Sequence, residues 1–512
     1  MEARASPDRG PSYSQILKST ALIGGSSVVT VLFSIIRNKA MALLLGPAGV
    51  GLIGLYSSIA DISYALAGLG IQASGVRQIA EAVGSGDTDR IARTATVLKR
   101  TSLVLGLLGA LLLAALAYPV ADFTFGDPGY AGGVALLSAA ILFRLLADGQ
   151  TALIQGMRDI ASLARINVLA AFFSTAISIP LIYLFGTSGI VPSLVAAAAA
   201  TLATCWWYRR QIPIGPRPVS TRKISEETAA LLKLGVVFMA SGFLTLGAAY
   251  AIRLIVLRAE GIAAAGLYQA AWTLGGFYAS FVLQAMGTDF YPRLTAVAED
   301  DAECNRLVNE QAQISMLLAG PGLIATLTAA PLVIRLLYSP EFYAAVDLLR
   351  WICLGMMLRV IAWPMGFIVL AKGAKRAFFW TEVAATLVHV GLAWLLVGSF
   401  GSIGAGAAFF GLYVWHGLLI YGIVRRLSGF RWSAANRKLA LVFLPASGFV
   451  FGAIFVLPPW PATALGLATT MISGAYSLRM LMELVPLASL PAAMRAWRSK
   501  ARRIQSDSCD AL

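Results

Sequence analysis

Apolar residues fill nearly the whole chain in long, uninterrupted stretches. A helix that crosses a bilayer needs about 20 mainly apolar residues, and nothing in the pattern alternates with the period of a barrel strand. We therefore predict an all-α integral membrane protein with fourteen transmembrane spans. The spans are 16–45, 51–74, 101–121, 131–155, 166–185, 190–207, 234–258, 266–288, 313–337, 344–371, 377–398, 405–424, 439–457 and 462–484.

The composition excludes a soluble protein. Of the 512 residues, 58% are hydrophobic and 13% are charged, whereas soluble domains carry about 25% charged residues. A net charge of +15 would suggest nucleic acid as the partner of a soluble domain. In a membrane protein the positive-inside rule accounts for the same excess, so we expect no nucleic-acid partner.

The distribution of Lys and Arg predicts the orientation. If the chain starts in the cytoplasm, the segments on that side carry 32 of the 40 basic residues, as the positive-inside rule requires. The first apolar stretch has no cleavage site for a signal peptidase, so we interpret it as an uncleaved span. Both termini are predicted to be cytoplasmic.

An internal repeat organises the spans. An offset near 216 residues matches Arg37 with Arg253 and Arg144 with Arg359. Six spans per copy is an even number, so the two copies share one orientation and are related by an axis along the membrane normal. We predict an N-lobe (1–208), a proline-rich cytoplasmic linker (209–233), a C-lobe (234–424), two further spans (425–485) and a basic tail (486–512).

Motifs of enzymes and metal sites are missing from the sequence. There is no P-loop, no HExxH and no nucleophile elbow, and the four cysteines lack metal-ligand spacing. We expect no catalysis, no cofactor and no metal. His389 and His416 fall in spans eleven and twelve, where either a hydrogen-bonded buried histidine or a proton relay is compatible with the pattern.

Four arginines in the spans are the candidate binding residues. A charge at bilayer depth costs about 2.5 to 3.5 kcal/mol and normally faces a cavity or a partner. Arg37 and Arg253 occupy equivalent repeat positions about eight residues from the outer ends of their spans, and Arg144 and Arg359 lie near mid-span. Snorkelling to the interface is the alternative for Arg37 and Arg253. We predict that all four line one central cavity suited to an anion such as a diphosphate.

Two carboxylates accompany these cations. Asp148 follows Arg144 by four residues, so the two could form an intrahelical ion pair, whereas Arg359 has Trp363 at that position. Asp61 could bind a coupling cation or serve as the counter-charge of Arg37. The sequence leaves these roles open.

Residues 37–86 carry a family resemblance. This stretch, with its GPAGVGL turn and GLGI segment, resembles the O-antigen translocase family of the multidrug/oligosaccharidyl-lipid/polysaccharide (MOP) superfamily. The resemblance implies two six-helix lobes around a central cavity and movement of an undecaprenyl-diphosphate-linked oligosaccharide across a bacterial inner membrane. It also implies membrane lipid, a polysaccharide polymerase and a chain-length regulator as partners.

Three alternatives remain at this stage. Lipid II flippases of the same superfamily have fourteen spans, whereas many polysaccharide flippases have twelve. A multidrug antiporter would favour acidic cavity residues over arginine. A membrane glycosyltransferase would normally need a sizeable outer loop, and the longest predicted outer loop has about 10 residues.

Overall fold

The computed structural model describes residues 11–214, 221–285 and 290–484. These residues form helices and contain no β-strand, which confirms the predicted all-α membrane fold. The predicted basic tail, 486–512, lies outside the described residues. The helices are α1 (Pro11–Gly68), α2 (Ile71–Gly84), α3 (Thr88–Ala115), α4 (Ala117–Phe125), α5 (Ala131–Gly156), α6 (Ile160–Phe185), α7 (Ile190–Arg209), α8 (Thr221–Ala285), α9 (Tyr291–Ala296), α10 (Asp301–Leu337), α11 (Ala345–Ala371), α12 (Lys375–Phe400), α13 (Ile403–Ser428), α14 (Ala434–Val456) and α15 (Pro459–Leu484).

Ten helical stretches in the described chain are long and apolar enough to cross a membrane. Three of them, Gly25–Gly68, Ile160–Arg209 and Gly242–Phe277, each coincide with two predicted spans. The ten stretches therefore correspond to thirteen predicted spans, and the fourteenth falls on α15. The count of fourteen is consistent with these helices and stays a prediction.

Two glycines divide the longest helices. Gly46 in α1 has φ 62° and ψ −170°, and its repeat equivalent Gly261 in α8 has φ 86° and ψ −178°. Side chains strongly disfavour such positive φ angles, whereas glycine has no Cβ to clash. Each glycine therefore separates one membrane span from the next without an intervening loop.

Half of the predicted linker is helical. The sequence suggests an exposed tether over 209–233, but α8 already begins at Thr221. The segment after Glu227 is rich in Ala, Leu and Lys, which are strong helix formers. Leu231 is fully buried in a cluster with Ile71, Ile79 and Leu98. This part of the linker is thus packed against α2 and α3.

The contacts divide the chain into two compact units. Unit 1 comprises residues 1–270 and 335–343, and unit 2 comprises 271–334 and 344–512. The sequence repeat instead predicts a boundary at the linker. The division into two six-helix lobes therefore stays a prediction. The core of unit 1 centres on α1 and α5, where Leu137, Ile141 and Leu145 are fully buried.

Within unit 1, α1 and α8 cross at small residues. A Cβ added to Gly51 would overlap the carbonyl oxygen of Ile262, and one added to Gly266 would overlap that of Pro47. Gly51 with Gly266, and Pro47 with Ile262, are repeat equivalents, so the crossing is symmetrical. Only glycine permits backbones to approach this closely.

Large apolar side chains cover much of the surface of each unit. Tyr183 in unit 1, and Leu418, Val456 and Trp460 in unit 2, are each more than 70% exposed. A soluble protein rarely exposes so much apolar surface. These side chains are suited to contact lipid.

Candidate functional site

Arg144 on α5 forms an ion pair with Asp61 on α1. The guanidinium Nη1 donates to the Asp61 Oδ1 at 2.8 Å, and the guanidinium carbon lies 4.4 Å from the centre of the Tyr64 ring. The side chains of Arg144 and Asp61 are 36% and 41% exposed. The pair is therefore accessible to water even though both residues belong to predicted spans.

The partners of both carboxylates differ from those that the sequence offered as alternatives. Asp61 pairs with Arg144 and not with Arg37. Asp148 does not form the suggested intrahelical pair with Arg144; instead, the Tyr64 hydroxyl donates a hydrogen bond to its Oδ2. Asp61 and Tyr64 are three residues apart on α1, so they lie on the same face of the helix. That face brings both side chains to α5.

These four residues line a cavity of about 500 Å³ in unit 1. Helices α1, α5, α6 and α7 form its walls, and six of the lining residues are alanines: Ala60, Ala140, Ala147, Ala170, Ala197 and Ala198. Small side chains leave room between the helices, and the polar groups are concentrated on α1 and α5. The cavity therefore combines a cation, two carboxylates and a hydroxyl in one accessible space.

Arg37 lies at the edge of this cavity. Its Nη1 donates to the Ser174 Oγ at 2.7 Å, and Ser174 is one of the lining residues. Its side chain is thus directed towards α6 within the unit. This hydrogen bond argues against simple snorkelling of Arg37 to the interface.

Arg253, the repeat equivalent of Arg37, is also held by side chains. Its Nε donates to the Gln269 Oε1 at 2.8 Å and its Nη1 to the Ser58 Oγ at 3.0 Å. Ser58 follows Ser57, which lines the cavity. Both members of the repeat pair therefore donate to a serine hydroxyl inside unit 1.

Arg359 lies in unit 2 among aromatic rings. The guanidinium carbon is 4.5 Å from the centre of the Trp363 ring and 5.8 Å from that of Tyr413. No carboxylate of the described residues forms an ion pair with Arg359, and its Nε is buried without a hydrogen-bond partner. Its surroundings therefore differ from those of Arg144, although the two positions match in the repeat.

The two histidines do not show the hydrogen bonding suggested for a structural role. Nε2 of His389 and Nδ1 of His416 are both buried without a partner. The described residues also contain no group of His, Cys, Asp and Glu that could hold a metal ion. The sequence signals for Tyr64 and Trp363 were their helical spacing from Asp61 and Arg359, whereas no local signal identifies Tyr413.

The ion pair in the unit 1 cavity contributes little net stability. An accessible ion pair contributes only about 0 to 1 kcal/mol because water screens it. A diphosphate would offer Arg144 more acceptor oxygens than Asp61 does, and charge-assisted hydrogen bonds to phosphate oxygens are strong. A phosphate-bearing ligand would therefore compete with Asp61 for Arg144.

Comparisons with known proteins agree on the family. Residues 40–347 match the family described as "Polysaccharide biosynthesis protein". The chain is 25% identical to the lipid III flippase of Escherichia coli (strain K12) over 426 residues, which are 80% of this chain and 98% of that protein. It is 27% identical to the amylovoran biosynthesis protein AmsL of Erwinia amylovora over 297 residues, which are 57% of this chain and 75% of that protein.

Solved structures share the fold. An inward-facing MATE-family multidrug resistance transporter of the MOP superfamily has a TM-score of 0.66 at 16% identity and covers 80% of this chain and 96% of its own. The lipid II flippase MurJ in an inward closed conformation has a TM-score of 0.65 at 13% identity and covers 91% of this chain and 100% of its own. Because the family match spans more than half of the sequence, this chain belongs to the polysaccharide biosynthesis protein family, and it shares the fold of MOP-superfamily transporters.

Proposed function

We propose that this protein moves undecaprenyl-diphosphate-linked oligosaccharide repeat units from the cytoplasmic to the outer leaflet of a bacterial inner membrane. The observation that carries the proposal is the similarity to the lipid III flippase over 98% of that protein's length. The similarity to an amylovoran biosynthesis protein points to the same class of cargo. A water-accessible arginine at the wall of a polar cavity suits an anionic, hydrophilic headgroup.

The arginines would lower the cost of moving the headgroup. A diphosphate with its sugars cannot cross hydrocarbon without a large desolvation cost. Arg144 would release Asp61 and bind the diphosphate, whose two phosphates can each accept a pair of hydrogen bonds from a guanidinium. Arg37, Arg253 and Arg359 would contact the diphosphate at other stages of transport, while the lipid tail stays in the bilayer.

Alternating access is the proposed mechanism. Two similarly oriented repeats can open a cavity first to one side of the membrane and then to the other by rigid-body motion. In such a cycle Asp61 would act as the counter-charge that occupies Arg144 whenever the cargo is absent. If Asp61 or Asp148 also binds a coupling cation, that cation would bind at the stage when the cargo is absent.

Lipid II is the second candidate cargo. The lipid II flippase MurJ aligns with 91% of this chain, more than the 80% covered by the MATE-family structure. Both cargoes carry the same undecaprenyl diphosphate, so the arginines would serve either one. A multidrug cation is the third candidate: the cavity carries Asp61 and Asp148 as well as Arg144, but the similarity to polysaccharide biosynthesis proteins favours a saccharide cargo.

Deleting the gene and identifying the lipid-linked saccharide that accumulates in the inner leaflet tests the proposal. We expect an undecaprenyl-diphosphate oligosaccharide repeat unit to accumulate. Wild-type protein should clear it, and so should the Arg479→Ala variant, which removes one arginine from the exposed ion pair with Glu483. Accumulation of lipid II would establish the alternative, and the absence of any lipid-linked saccharide would refute both. The same strain, supplied with the native polymerase and chain-length regulator, shows whether the product enters polymer synthesis.

A further inference from the structure

Three helices of unit 2 bring a set of polar and aromatic side chains together. Arg359 lies on α11, His389 on α12, and Tyr413 and His416 on α13. The Tyr413 ring is the centre of the group, because the Arg359 guanidinium carbon lies 5.8 Å from it and the His416 ring 5.8 Å from it. His389 reaches the group through Phe409, whose ring is 5.7 Å from His389 and 5.0 Å from Tyr413.

Three nitrogen atoms of this group are buried and lack partners. They are Nε of Arg359, Nε2 of His389 and Nδ1 of His416. His389 is only 8% exposed. A buried polar atom without a hydrogen bond costs about 1 to 3 kcal/mol, and each such atom in a folded protein requires an explanation. Three of them in one group indicate a ligand that supplies the missing bonds.

The chemistry of the three atoms selects the kind of ligand. The Nε–H of arginine can only donate, and a neutral imidazole can donate from one of its nitrogens. Arg359 also carries a positive charge that no described carboxylate pairs with at hydrogen-bond distance. Glu382 lies two helical turns before His389 on α12 and forms no ion pair with Arg359. The group therefore offers donors and positive charge to an acceptor-rich anion.

Aromatic rings hold the cation in position. Trp363 and Tyr413 contact the guanidinium through their faces, and such cation–π contacts contribute about 0.5 to 2 kcal/mol. The Trp363 and Tyr413 rings face the guanidinium carbon, and the Nε atom of Arg359 has no hydrogen-bond partner. Arg144 in unit 1 also faces an aromatic ring, that of Tyr64, but its Nη1 already donates to Asp61.

We propose that Arg359, His389 and His416 form an oxyanion-binding site within unit 2, separate from the Arg144 cavity of unit 1. The inference rests on the proposed function, since it assigns a role in cargo recognition to the two histidines, to which the family comparison assigns none. The oxyanion can come from two parts of such a cargo, the diphosphate or the carboxylate of an acidic sugar. Both supply several acceptor oxygens with negative charge.

Ligand binding at the proposed site can be measured directly through the two histidines. The sequence contains two histidines, and both belong to the proposed site. Full-length protein with a histidine-free affinity tag, labelled with isotopes only in histidine and placed in lipid nanodiscs, should give two imidazole NMR signals. His389→Gln, which retains one signal, assigns them. Sodium pyrophosphate and sodium glucuronate are the two probes.

We expect at least one probe to shift both imidazole signals in a saturable manner. Arg359→Ala should raise the dissociation constant about 10- to 100-fold, since a hydrogen bond to a charged group is lost. Arg359→Lys should raise it less, because the charge remains while the forked geometry is lost. Arg479→Ala, which changes an exposed ion pair outside both sites, is the matched control and should leave the titration unchanged.

The outcomes separate the two sources and the two proposals. A response to pyrophosphate assigns the site to the diphosphate, and a response to glucuronate alone assigns it to an acidic sugar. Signals that neither probe moves, or that move equally in Arg359→Ala, would overturn the site. The deletion experiment identifies the cargo independently of the titration. Together, the two experiments distinguish a functional oxyanion site in a protein with a different cargo from the proposed cargo without such a site.

Discussion

At the scale of single residues, equivalent positions of the two repeats have acquired different neighbours. Arg144 bonds to Asp61 and is accessible to water, whereas Arg359 is packed between aromatic rings and has an unpartnered Nε. Two repeat positions differ: Asp61, the partner of Arg144, has Gly276 as its counterpart, and Asp148 has Trp363, whose ring contacts Arg359. The same cation is thus paired with a carboxylate in one copy and packed against aromatic rings in the other.

The Asp61→Asn variant tests the role of Asp61 as a counter-charge. Removing the charge frees Arg144, so we predict that pyrophosphate binds up to about fivefold more tightly, because an accessible ion pair contributes about 0 to 1 kcal/mol. Isothermal titration of the purified protein measures the affinity. Asp87→Asn, which removes an exposed carboxylate paired with Arg93, is the control.

The same variant separates this role from cation coupling. As a counter-charge, Asp61 should tolerate the change to Asn with export largely retained. Loss of export with unchanged pyrophosphate affinity would instead make Asp61 a coupling site and contradict the prediction.

At the scale of helices, a set of asparagines fixes α14 to α10 in unit 2. The Asn436 Nδ2 donates to the carbonyl oxygen of Asn309 at 2.8 Å, and the Asn309 Oδ1 accepts from the Ser433 backbone N–H at 2.8 Å. One helical turn earlier on α10, the Asn305 Nδ2 donates to the Ser428 carbonyl oxygen at 2.6 Å. These bonds join the start of the two additional helices to the repeat-derived part of the unit.

We predict that Asn436→Ala destabilises this junction. Asn436 is 1% exposed, and removing a partner from buried polar groups costs about 1 to 3 kcal/mol. Thermal unfolding in a fixed detergent should show a lower midpoint than the wild type. Thr463→Ala, which removes an exposed hydroxyl bonded within its own helix, should leave the midpoint close to the wild-type value, and equal midpoints for both variants would argue against the junction.

At the scale of the whole molecule, alternating access can be tested at the glycine crossing of α1 and α8. Gly51 and Gly266 bring the two helices into backbone contact just after the kinks at Gly46 and Gly261. The sequence places this crossing at the outer ends of spans one and seven. If transport alternates, these ends must separate once in every cycle.

A cross-link between cysteines at Leu45 and Ala259, which lie beside the glycine kinks, should therefore stop export. The native cysteines are first replaced, and the pair is then joined by a short bifunctional reagent. Export measured before and after reduction of the cross-link should fall and then recover. Either cysteine alone, treated with the same reagent, is the control, and unimpaired export by the cross-linked protein would exclude separation of these ends as a transport step.

The predicted topology has a separate test. Reporters fused after residue 426 and after Leu512 should both indicate the cytoplasm, because 32 of the 40 basic residues fall on that side under the fourteen-span arrangement. A reporter at an outer position, between α14 and α15, should indicate the opposite side. An outer signal at Leu512 together with a cytoplasmic signal after residue 426 would show that one of the last two predicted spans does not cross the membrane.

Features that depend on local pattern can be predicted from the amino-acid sequence alone. Apolar stretches of about 20 residues can only be satisfied as helices in a bilayer, so the all-α membrane fold follows from composition and period. The repeat located the arginine pairs, since identical offsets are visible without a structure. The family followed from the GPAGVGL turn, whose Gly46 is the kink in α1.

Which side chains contact each other depends on how the helices pack in three dimensions. Asp61 and Arg144 are 83 positions apart, and nothing local distinguishes that pairing from the expected one between Asp61 and Arg37. The packed part of the linker and the group around Tyr413 likewise depend on which helices are neighbours. Helical period fixes the face on which a residue lies, but the partner on the other side of a contact is set by how whole helices pack, and that information is not contained in any single stretch of sequence.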